Sequence, residues 1–163
     1  MVVRLFVPTL LMLLMIADAR ADLATAGRAF KAEDYGTAYR AYDPLVRAGN
    51  VEAQYWMGHL LDGAYCGEED PEHASVCRLK AAKQGHEAAQ RMIGAYHTQG
   101  LGGVLQDFGI AANWYARAAE QGYPIAQREL GRLYQDGREV DADPALAVDL
   151  YAKASRRRPI SSR

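Results

Sequence analysis

Residues 87–123 read EAAQRMIGAYHTQGLGGVLQDFGIAANWYARAAEQGY. Two runs carry small and apolar residues at helical spacing, and the turn Gly100-Leu101-Gly102-Gly103 joins them. The chain before and after repeats this plan. Asp34, Asp70, Asp107 and Asp143 recur at spacings of 36, 37 and 36. Ala38, Ala74, Ala111 and Ala147 keep step, as do the pairs Ala53-Gln54, Ala89-Gln90 and Ala126-Gln127. Gly58, Gly94 and Gly131 hold the same register, and so do Gly49, Gly85 and Gly122. A fixed period of this size is the signature of stacked helix pairs, in which each pair buries its apolar face against the next.

Local chemistry agrees with the period. Gly49, Gly85 and Gly122 stand where a helix ends in the left-handed conformation, which glycine adopts without a Cβ clash. Asp70-Pro71 and Asp143-Pro144 read as a capping carboxylate followed by a proline that has no N–H to lose, and Asp107 is expected to cap likewise. Gly58, Gly94 and Gly131 fall inside helices, where glycine costs about 1 kcal/mol relative to alanine. Repeated in register, that cost implies that a neighbour approaches closely there. Leu23, Ala26 and Phe30 share one face of a short first helix. The next run holds Ala38, Ala41, Tyr42 and Leu45, and Pro44 within it is expected to kink or shorten it. After Ala154 the chain reads SRRRPISSR, so the apolar side of the last helix, with Leu146, Leu150 and Tyr151, is left to be covered by that basic tail or by a partner.

The residues in register resemble the Sel1-like repeat, A-x-x-x-L-G-x-x-Y-x-x-G-x-G-V-x-x-D-x-x-x-A-x-x-W-Y-x-x-A-A-x-x-G. The likeness covers about Asp34 to Ser155. The third repeat shows Leu130-Gly131, Tyr134, Gly137, Val140, Asp143, Ala147, Tyr151 and Ala154. The second shows Gly94, Gly100, Gly102, Val104, Asp107, Ala111, Trp114-Tyr115, Ala118-Ala119 and Gly122; it adds Gly103 and has His97 at the tyrosine position. The first departs more, with Leu61 for that tyrosine, Cys77 for the tryptophan and Cys66 in the turn. The resemblance implies an all-α, right-handed α-solenoid of stacked helix-turn-helix, TPR-like repeats. Residues 22–50 would form a capping helix pair, 51–86, 87–123 and 124–157 the three repeats, and 158–163 a basic tail.

Residues 1–21 read as a targeting segment. Arg4 gives the positive region, Leu5 to Ile16 an apolar run of twelve, and Ala19-Arg20-Ala21 a small-x-small cleavage site before Asp22. The run is short for a membrane span. Cleavage between Ala21 and Asp22 and a periplasmic or secreted product are expected for a bacterial source; the alternative is an uncleaved anchor. In such a compartment Cys66 and Cys77, eleven apart, read as a disulfide worth roughly 2–3 kcal/mol in the chain-entropy picture. Two free thiols, with Cys77 filling the tryptophan site, or a redox pair are the alternatives.

Catalytic and metal motifs are weak. His86-Glu87-Ala88-Ala89-Gln90 begins like a zinc-protease motif but has no second histidine, and His59, His73 and His97 fall in different repeats without ligand spacing. The glycine-rich turn follows a helix rather than a strand and lacks the Lys-Ser/Thr of a phosphate loop. No cofactor or metal is expected. With a formal net charge of -1, nothing points to nucleic acid.

A helical wheel at about 100° per residue puts the positions two and six after each repeated alanine opposite the packing face. These are Tyr55 and His59, then Arg91 and Ala95, then Arg128 and Arg132; Ala95 apart, they carry aromatic or basic side chains. On the concave side of a solenoid they would form an aromatic and basic stripe suited to an acidic or C-terminal partner segment, because arginine grips carboxylate in a fork. The alternative is a solvated face with arginines paired to Glu87 or Glu129. Together with the resemblance, the stripe implies a non-enzymatic adaptor or regulator of the bacterial cell envelope. The alternatives are a β-lactam-binding or hydrolysing enzyme, as discussed for cysteine-rich relatives, and an immunity protein that neutralises one toxin.

Overall fold

The computed structural model describes residues 22–63, 65, 70–137 and 141–156. The expected targeting segment, Cys66, Val140 and the basic tail lie outside the described residues. Among the described residues every regular element is a helix: α1 (22–31), α2 (Tyr35–Arg47), α3 (Val51–Asp62), α4 (Pro71–Lys83), α5 (Glu87–Gln99), α6 (Phe108–Glu120), α7 (Pro124–Asp136) and α8 (Pro144–Ser155). They divide between two compact bodies, Met1–Asp70 and Pro71–Arg163. In the first, α2 packs on α3. In the second, each of α4 to α8 packs on its chain neighbour.

Each register residue has a physical task. Asp34, Asp107 and Asp143 accept the backbone N–H three residues on, from Thr37, Ile110 and Leu146. Replacing Asp143 by alanine orphans that donor; an expected loss of about 1 kcal/mol is measurable by urea denaturation. The aspartate N–H looks backwards. Asp70 donates to Leu61 O, Asp107 to His97 O and Asp143 to Tyr134 O, at 3.1, 2.8 and 3.0 Å. The acceptors are the tyrosine-register positions, and only their backbone is used. That is why leucine and histidine close the turn as well as tyrosine does. At the far end, Gly49, Gly85 and Gly122 take φ of 82°, 96° and 82°. The next N–H, from Asn50, His86 or Tyr123, then reaches back five residues to Leu45, Ala81 or Ala118.

The Ala-Gln pairs link consecutive hairpins. The alanines are fully buried. The glutamine side chain reaches the end of the preceding helix: Gln90 Nε2 donates to Ala82 O and Gln127 Nε2 to Ala119 O, both at 3.1 Å and both eight residues back. The interior glycines seat tyrosines. A Cβ on Gly94 would lie 2.7 Å from the Tyr115 ring, and one on Gly131 would lie 3.0 Å from Tyr151. The expected close neighbour is therefore an aromatic ring of the second helix.

Two expectations change. Pro44 does not shorten α2, which at 13 residues matches its counterparts. Pro44 and Arg40, whose carbonyl loses its N–H donor, are both exposed, so water meets the freed group. The apolar side of α8 does not wait for the tail. Leu150 is buried in one cluster with Tyr115, Leu130 and Leu133, and Leu146 packs against it. Val148 is the large apolar residue that α8 leaves exposed.

Candidate binding surface

The five stripe residues sort into three settings. Tyr55 and His59 are half-buried. His59 Nε2 and the Tyr55 hydroxyl are 3.1 Å apart, and the rings meet edge to face at 5.1 Å. Trp56 lies against both, and its other neighbour is Phe30 of α1, with ring centroids 5.0 Å apart. The wheel gave the direction of Tyr55 and His59 from α3 and could not include these packing neighbours.

Arg91 is also half-buried. Its Nε has no hydrogen-bond partner, while Nη2 donates to the Met92 sulfur. Arg132, exposed on α7, pairs with Glu129 at 2.8 Å. Both arginines belong to the surroundings of Tyr115. Burial raises the pKa of that phenol, and a hydrogen bond to Thr98 opposes the rise. Glu129 adds to it, while Arg91 and Arg132 lower it. The hairpin α5–α6 and helix α7 thus bring two of the three stripe arginines around one buried tyrosine. Arg132 also lines a small polar cleft of about 250 Å³ with Thr98, Gln99 and Asp136. Arg128 lies elsewhere, in a cleft of about 260 Å³ with Ile125, Tyr151 and Ala154. It is exposed and makes no ion pair with a described residue.

The most buried ionisable side chain escaped sequence reasoning. Arg78 of α4 is 0% exposed. Its Nη1 donates to the Tyr96 hydroxyl, and the guanidinium sits 5.5 Å from the Tyr96 ring centroid. Register holds the signal that reveals it: Arg78 occupies the position of Tyr115 and Tyr151, eight residues after the capping aspartate. Cys77 beside it is buried at 1% exposure, as expected of a residue in the tryptophan register. Its expected disulfide partner lies outside the described residues, and no disulfide occurs among the described ones. Among the described residues no three His, Cys, Asp or Glu side chains gather as metal ligands, and no helix is long and apolar enough to cross a membrane.

Helix hairpins with one repeated set of caps, glycine seats and glutamine links define a repeat protein of the stacked-hairpin, solenoid class. The chain belongs to the Sel1 repeat family, whose repeat matches residues 51–86, 87–123 and 124–158. A Sel1 repeat protein from Oxalobacter formigenes is similar at 30% identity and a TM-score of 0.77, over 81% of this chain and 54% of that one. A protective antigen present in uropathogenic Escherichia coli strains, displaying an SLR fold, is similar at 26% identity and a TM-score of 0.78, over 83% of this chain and 30% of that one. The chain therefore spans about half the length of the first and under a third of the second. No curated protein matches it. Sel1 repeats are in general protein–protein interaction modules and typically non-enzymatic scaffolds.

Proposed function

We propose that this protein is a non-enzymatic adaptor or regulator of the bacterial cell envelope that holds an acidic or C-terminal segment of a partner protein through the arginines of α5 and α7. The observation that carries this reading is Arg128, exposed in its cleft and without an ion-pair partner among the described residues. One feature adds to it. Arg132 is held only by an i,i+3 pair on a largely exposed side chain, worth about 0–1 kcal/mol, which a partner carboxylate can displace. A guanidinium offers five donors and binds carboxylate in two parallel hydrogen bonds. The envelope assignment rests on the pattern of residues 1–21, and the stapling of the first repeat through Cys66 and Cys77 belongs to the same proposal.

The test is affinity capture of the tagged protein from an envelope extract, beside a variant with Arg91, Arg128 and Arg132 all changed to glutamate. A partner retained by the wild type and lost from the variant is the expected result. Equal retention by both would overturn the arginine site, and no partner at all would overturn the adaptor.

A further inference from the structure

A groove of about 640 Å³ opens in the N-terminal body, between α1 and α3 and above Tyr42 of α2. That volume falls within the range of ligand sites. Its walls are apolar and aromatic: Leu23 and Phe30 from α1, Trp56 from α3, and Tyr42 beneath, only 1% exposed. The Phe30–Trp56 contact at 5.0 Å and the hydrogen bond from Trp56 Nε1 to Glu52 Oε1 at 2.6 Å hold the indole in place. The wall is thus formed before anything binds, which saves the entropy of ordering it. Gly27 adds no side chain to the α1 wall.

Two charged residues line this apolar groove. Lys31 is exposed and makes no ion pair with a described residue. Glu52, which takes the indole N–H, is a carboxylate, a group that can accept more than one hydrogen bond. A cation that makes no ion pair with a described residue, beside an apolar wall, fits a ligand that is apolar and ends in a carboxylate. A carboxylate acceptor in the same groove fits a ligand that also carries an N–H donor. A fatty acid supplies the first match and leaves Glu52 facing hydrocarbon; a peptide chain end supplies both.

We propose that this groove is a second binding site, which takes the apolar carboxy-terminal residue of a peptide. The side chain lies against Phe30 and Trp56, the terminal carboxylate reaches the Lys31 ammonium, and a backbone N–H of the peptide donates to Glu52. The site is independent of the arginines of α5 and α7.

Trp56 reports on it directly. The chain has two tryptophans, so in a Trp114→Phe background Trp56 is the sole fluorophore. The full chain in that background is titrated with acetyl-Gly-Ser-Leu-Phe as the free acid, with the same peptide as its amide, and with decanoate. The expected result is a saturable shift of emission with the acid, and binding weaker by about tenfold with the amide, as for loss of one charge-assisted contact. Lys31→Glu should weaken the acid to the level of the amide, and Lys31→Met should do so without adding charge. Far-UV circular dichroism checks that both variants fold. The triple arginine variant should titrate like its parent, so failure here leaves the adaptor reading standing, and the reverse. Equal binding of acid and amide, preference for decanoate, indifference to Lys31, or no shift at all would each overturn the proposal.

Discussion

Replacing Arg78 by alanine is expected to lower the unfolding free energy by about 2–5 kcal/mol, the range for truncating a large, fully buried side chain. A domain holds only about 5–15 kcal/mol in all, so the loss is visible as a large shift of the midpoint in guanidinium denaturation followed at 222 nm. Arg78 is 0% exposed, its guanidinium donates to Tyr96, and Tyr96 is itself 5% exposed. Alanine leaves both a hole and a buried hydroxyl that has lost a donor. Arg78→Met separates the two effects because it fills most of the hole and restores no hydrogen bond. It should still be destabilising, by about 1–3 kcal/mol for the orphaned polar group. A methionine variant as stable as the wild type would show that Arg78 acts as filler alone.

The second large effect concerns Gly94. In an open helix, Gly→Ala stabilises by about 1 kcal/mol. Here the new methyl would sit 2.7 Å from two carbons of the Tyr115 ring. That ring is 1% exposed, so its neighbours leave it little room to swing away. Overpacking of this kind costs about 1–3 kcal/mol or somewhat more, and Gly94→Ala should be a net loss of about 1–2 kcal/mol after the propensity gain. Gly131 is the internal control. Its methyl would stand 3.0 Å from Tyr151, a half-buried ring whose hydroxyl donates to Gln135, and 3.3 Å from the carbonyl oxygen of Ala147. These contacts are longer than the one at Gly94, so Gly131→Ala should cost less than Gly94→Ala in the same denaturation assay. Equal effects at the two sites would mean that the tyrosine seat is not what glycine serves.

These residues show what was legible in the chain. The fold was, because its register marks are backbone devices: a carboxylate three residues before an open N–H, and a glycine where φ turns positive. Such devices depend on local geometry and show wherever their spacing repeats. The reason for the glycines inside the helices was legible only as a close approach, and the partner ring emerged with the packing. Arg78 was hidden because arginine is a surface residue by default, and only its alignment with Tyr115 and Tyr151 marks it as buried. The stripe was read from single-helix geometry. That suffices for Arg128 and Arg132, which stand exposed on α7, and fails to include the half-burial of Tyr55 and His59, whose rings pack on each other and on Trp56.

The glutamine links carry a consequence for how such chains change over generations. Gln90 and Gln127 each close the carbonyl eight residues behind them, across the glycine that separates one hairpin from the next. The acceptor is a main-chain atom, and the donor arrives with the following hairpin. A duplication or deletion cut at that glycine joins a compatible end to a compatible start, with the same main-chain acceptor on offer at the seam. Gene segments of this kind can be lengthened, shortened or shuffled in whole multiples of the period. Arrays of very different length, such as the longer chains this one resembles, can then share a single kind of joint.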